Sequence, residues 1–165
     1  MQREQLGARG ARPTEDGFTI LELMMVIAII AILITVMFPV FLGASSRAKD
    51  RAMQSSLTIA TTGAKSLYFG VADFTTATPA TMTKETGGVV FVTGVTAPTG
   101  AKSVSVLGVT VNQVVLSGQS KSGSCFYVFD DEAAGSTVYA TLPGAGGCAA
   151  SSAPLPGDPA WKTTW

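Results

Sequence analysis

A single carboxylate stands inside an otherwise uncharged apolar run, and this combination restricts the chain more than any other part of it. From Phe18 to Leu42 the sequence reads FTILELMMVIAIIAILITVMFPVFL, with Glu22 as its only charge. A helix crossing a hydrocarbon core needs about 20 apolar residues, and this run supplies them. A carboxylate in such surroundings is expensive and by default has a partner or a task. The run is longer than the core of about 7–15 residues in a cleaved secretory signal, and no small-x-small cleavage site follows it before the next helical stretch. Charge does not orient the span. Arg3, Arg9 and Arg12 precede it, while Arg47, Lys49 and Arg51 follow closely.

Beyond Gly43 the pattern becomes amphipathic. Ala48, Ala52, Leu57, Ala60, Ala64, Leu67, Tyr68 and Val71 recur mostly at steps of three and four, which predicts a helix with a narrow face of small apolar residues. Gly70, Asp73 and Pro79 mark its expected end. A helix continuous from Phe18 to Val71 would be roughly 80 Å long at 1.5 Å per residue. A domain of this size cannot bury such a rod alone, so its first half must meet membrane or other copies. Residues 73–87 read as a polar Thr/Ala connector. Five runs rich in Val, Thr, Phe and Tyr then predict strands at Val89–Val92, Ser103–Val111, Gln113–Leu116, Ser124–Phe129 and Thr137–Leu142, the last two as a hairpin turning around Asp130–Gly135. The expected fold class is α+β: a long N-terminal helix whose C-terminal half packs on a small antiparallel sheet. The divisions are 1–17, 18–42, 43–72 and 73–165, the last a β-rich head with a Pro-rich tail in which Trp161 or Trp165 packs onto the sheet.

The 165 residues contain no histidine, which removes the commonest general base and transition-metal ligand. No nucleophile–base arrangement is recognisable, so no catalytic residue, metal or cofactor is expected. Net charge is zero, and the Arg47-Lys49-Arg51 cluster reads as a solvated helix face, so no specific nucleic acid is expected. Asp130, Asp131 and Glu132 lack the alternating ligand spacing of a calcium loop. Cys125 and Cys148 are the only cysteines, and they can pair if their domain lies outside the cytoplasm. Pro39 removes the amide that would bond to the carbonyl of Thr35, which favours a kink there.

Gly17-Phe18-Thr19-Ile20-Leu21-Glu22, running into MMVIAIIAILITV, closely resembles the class III leader of type IV pilins and pseudopilins. The resemblance implies a prepilin peptidase that cuts between Gly17 and Phe18 and methylates the new N-terminus. It makes Glu22 the glutamate of that motif and Pro39 the proline common near the end of the apolar half-helix, where packing into a filament can unwind the helix. The position of Cys125 and Cys148 resembles the C-terminal disulfide loop of many pilins. The acidic pair Glu15-Asp16 beside the glycine departs from the usual basic leader, and Ala31 stands where some relatives have glycine. The implied function is structural. The subunit waits in the bilayer of a prokaryotic cytoplasmic membrane, its head extracytoplasmic. It is then processed and polymerises with other copies and related pilins, through an inner-membrane assembly platform, into a surface filament. A type II secretion pseudopilin or a competence pilin is the alternative within the superfamily. Outside it, a signal-anchored extracytoplasmic binding protein or enzyme is the alternative.

Overall fold

The computed structural model describes residues 17–144 and 147–165. Of the leader expected over residues 1–17, all but Gly17 falls outside the described residues. Two units part between Phe41 and Leu42, and α1 (Ile20–Val71) runs through that boundary. Pro39 lies inside this helix. The Thr35 carbonyl, four residues earlier, loses the amide it would ordinarily accept from, and the Thr35 hydroxyl donates back to the Ala31 carbonyl at 2.6 Å. Helical structure continues through the proline.

In the second unit α1 buries Met53, Ser56, Leu57, Ala60, Gly63 and Ala64, a stripe at the three- and four-residue steps of one helical face. Val104, Val106, Val114, Leu116, Phe126 and Val128 meet it from the strands and form the main core. The helix ends where Ala72 adopts a left-handed conformation (φ 51°) and its amide donates to the Tyr68 carbonyl at 2.6 Å. Glycine usually occupies such a position.

The sheet has the order β1-β2-β3-β4-β5, with β1 at Val90–Thr93, β2 at Ser103–Thr110, β3 at Gln113–Gln119, β4 at Ser124–Asp131 and β5 at Ser136–Pro143. From β2 to β5 it is an antiparallel meander. β1 pairs with β2 in parallel, so the sheet is mostly antiparallel, in line with the expected fold, with one parallel edge. The chain between Thr93 and Ser103 returns along the short β1 to the same end of the sheet. Ser105 Oγ donates to the Thr93 carbonyl at 2.9 Å and Ser56 Oγ to the Ala101 carbonyl at 2.7 Å, which pins both ends of that return. The connector expected over residues 73–87 also contains a short helix, α2 (Pro79–Glu85), with Thr78 as N-cap, Pro79 in its first turn and a capping box between Thr78 and Thr81.

The second sheet face is covered by the chain that follows β5. Cys125 on β4 is joined to Cys148, and both are buried beside Tyr127 and Ala140. Ser117 Oγ donates to the Cys148 carbonyl at 2.5 Å, and the Ala150 amide donates to Ser105 Oγ at 3.2 Å. The outer edge of β5 is also engaged: Tyr139 and Lys162 exchange two backbone hydrogen bonds of 2.8 Å. Trp161 packs on Phe129 of the second face (5.9 Å between centroids), while Trp165 packs on Phe126 and Tyr139 of the helix-facing side (5.4 and 4.6 Å). The tail thus clips one sheet edge from both faces, protecting a strand that would otherwise offer unpaired backbone groups.

Candidate functional site

Gly17, Phe18 and Thr19 are not helical, and the helix begins at Ile20. Thr19 supplies the cap. Its carbonyl accepts from the Leu23 amide at 3.1 Å, and its hydroxyl oxygen accepts from the Glu22 amide at 3.1 Å. Glu22 therefore occupies the third helical position, among the unpaired amides at the positive end of the helix dipole. That position is worth about 0.3–1 kcal/mol to a carboxylate at an exposed terminus, too little to offset full transfer into hydrocarbon. The cap was absent from the sequence reading, although Thr19 followed by Glu22 is the S/T-x-x-E pattern of a helix start.

Every residue from Phe18 to Leu42 is exposed. A helix that is apolar all round has no solvated face to keep in water, so its burial must come from lipid or from other chains. Among the described residues α1 is long and apolar enough to cross a membrane. This fits a precursor anchored in the membrane by its N-terminal helix. Residues 12–38 match the family model described as the prokaryotic N-terminal methylation motif. The chain thus carries the class III prepilin leader, and its long apolar helix fits a prepilin of the type IV pilin or pseudopilin type. No curated protein and no solved structure matches the chain.

Of the other singled-out residues, Pro39 lies within this apolar segment and the two cysteines lie outside it. Pro39 is near the end of the apolar run, and Cys125 and Cys148 are bonded to each other in the second unit. A polar cluster there had not been foreseen. Lys65 Nζ lies 3.0 Å from Asp130 Oδ1 and 2.8 Å from Glu132 Oε1, tying α1 to the end of β4. Asp130 is buried and also accepts from Thr137 Oγ1 at 2.5 Å, while its second carboxylate oxygen has no hydrogen-bond partner among the described residues. Asp131 points to the other face of the strand. The Gln113 amide at 2.7 Å and the Ala134 backbone amide hold its carboxyl below the usual 3.8. The three acids therefore do not converge.

Burial pulls the Lys65 pKa down, but the hydrogen bonds and charges of Glu132 and Asp130 outweigh it and leave it above the ordinary 10.5. A raised folded-state pKa means that this stabilisation is complete below the unfolded value and is lost as pH rises through the folded one. Lys65 keeps about a third of its side chain in water, so much of the pairing is screened. The burial of Asp130 sets the larger cost. In Lys65→Met, Asp130 keeps only Thr137 as a partner, and the expected destabilisation is about 2 kcal/mol at neutral pH. Urea unfolding followed by tryptophan fluorescence measures it. The variant should also lose the part of the wild-type decline in stability that sets in above pH 10.5.

Proposed function

We propose that the chain is a structural subunit of a type IV pilus. Prepilin peptidase cuts between Gly17 and Phe18 on the cytoplasmic side and methylates Phe18. The subunit stays in the cytoplasmic membrane through residues 18–42, head outside, until the assembly platform adds it to a surface filament of its own copies and related pilins. The single observation carrying this reading is Glu22: one carboxylate, capped at the start of a fully exposed apolar helix, inside the methylation motif. The cut creates an ammonium at Phe18, four residues before Glu22 and just ahead of the helix start. Within one subunit that pair is already close to the helix terminus and gains little. Between packed helices, the Phe18 ammonium of one subunit meets Glu22 of the next in apolar surroundings. There an unmatched charge costs several kcal/mol, and only one register removes it. Pro39 is the place where the helix can unwind on packing, because one hydrogen bond is already missing there.

The buried Cys125–Cys148 bond near the C-terminus supports an extracytoplasmic head and favours a pilin over a pseudopilin. Mass spectrometry of sheared surface filaments tests the proposal. The dominant subunit should begin with N-methylated Phe18. An intact Met1 on a monomer that remains in the membrane would overturn the assignment.

A further inference from the structure

The chain is neutral overall, yet the charges of its second unit are segregated. Arg47, Lys49 and Arg51 lie on α1 just beyond Leu42, where the unit begins. Two bonds from α1 to the sheet bring further cations to that end. Asp50 accepts from Ser122 in the β3–β4 turn, placing the adjacent Lys121 there. Ser56 donates to the Ala101 carbonyl, placing Lys102 beside it at the start of β2. All five cations are exposed, and none is in an ion pair among the described residues. Asp50 is the carboxylate among them. The remainder of the unit has the opposite balance, Lys65, Lys84 and Lys162 against six acids, with Asp131 and Glu132 at the other end of the sheet.

We propose that this cationic end is a docking surface for anionic phospholipid headgroups on the face of the membrane that the apolar helix reaches at Leu42. The spacing matches that layer. The headgroup region extends about 5–7 Å beyond the hydrocarbon on each side, and Arg47 follows Leu42 by about 7–8 Å of helical rise. Attraction to an anionic leaflet reaches about one Debye length, about 8 Å at physiological ionic strength, which takes in the level of Lys49, Asp50 and the turn at Ser122. Within that reach Arg47, Lys49, Arg51 and Lys121 stand against the single carboxylate of Asp50, the sign such a surface attracts; Lys102, at the level of Ser56, lies about 21 Å beyond Leu42 and only adds to the longer-range field. The docking holds the folded head on the lipid while the subunit is stored. It rests on membrane residence and not on filament formation.

The test uses the full, unprocessed chain in vesicles. Both native cysteines are bonded to each other, so a Thr99→Cys variant offers one labelling site, exposed and next to the Lys102 turn. Energy transfer from that dye to an acceptor on lipid headgroups reports the distance to the surface. Transfer should be about twofold higher in phosphatidylglycerol than in phosphatidylcholine vesicles, and about 1 M NaCl should remove the difference. Lys49→Glu with Lys121→Glu should remove it too. Equal transfer in the two lipids at low salt would overturn the proposal. So would transfer that ignores lipid charge but rises with protein density, because that end would then be meeting a second copy. Processing at Gly17 does not enter the measurement, so failure here leaves the pilus assignment untouched and the reverse also holds.

Discussion

Glu22→Val should leave the precursor in the membrane and reduce recovered filament by at least about tenfold, the equivalent of about 1.4 kcal/mol or more per added subunit. Insertion survives because a carboxylate near the end of a span opposes partitioning and valine does not. Assembly fails for a separate reason. After cleavage the ammonium at Phe18 has no carboxylate to meet in the neighbouring helix, and burying it unmatched costs several kcal/mol. The Thr19 cap refines the test, because Thr19 binds the Glu22 amide and not its carboxylate. The helix start therefore persists in the variant, and loss of filament cannot be assigned to fraying. Glu22→Gln separates charge from size and should assemble no better than Glu22→Val. Immunoblots of the sheared fraction against the membrane fraction give the readout. Wild-type filament yield from either variant would refute the pairing of ammonium and carboxylate.

The part of the fold that sequence periodicity could reach was reached through burial. Leu57, Ala60 and Ala64 recur at helical spacing because they line one helix face, and that face is the one packed on the sheet. The strand runs were visible for a related reason: both sheet faces are covered, so β3 and β4 are almost continuously buried and carry the unbroken apolar runs Val114–Leu116 and Cys125–Phe129. What the sequence did not disclose depends on contacts between distant residues. α2 has Met82 as its only buried residue, too little for a period, although Thr78-Pro79 followed by Thr81 is a capping signal. The parallel pairing of β1 depends on how the loop after Thr93 is pinned by Ser56 and Ser105. Nothing local in those residues announces it. Lys65 and Asp130 are 65 positions apart and each looked like surface charge, until the helix and the end of β4 were brought together. At the candidate site the balance is reversed. Gly17, Phe18 and Glu22 were readable because the methylation motif is a local string, whereas the Thr19 cap, equally local, was missed.

Replacing both Cys125 and Cys148 with alanine should destabilise the second unit by about 3 kcal/mol, the chain-entropy estimate for a closed loop of this size. The loop spans 23 positions and encloses most of β4, all of β5 and the turn between them. Its loss frees an unfolded chain that is otherwise tethered across the hairpin. The native state loses as well, because the bond seats Cys148, whose carbonyl accepts from Ser117, at the start of the segment covering the second sheet face. That segment leads to Ala150, Trp161 and the bridge between Lys162 and Tyr139. The double variant should therefore show two separable signals. Urea unfolding should shift to a lower midpoint with a steeper slope, because the untethered denatured chain exposes more surface. Before that transition, tryptophan emission should already be red-shifted, as Trp161 and Trp165 lift from Phe129, Phe126 and Tyr139. A lower midpoint with native emission would mean that the aromatic clip holds the tail by itself. An unchanged midpoint would contradict a stabilising role for the bond.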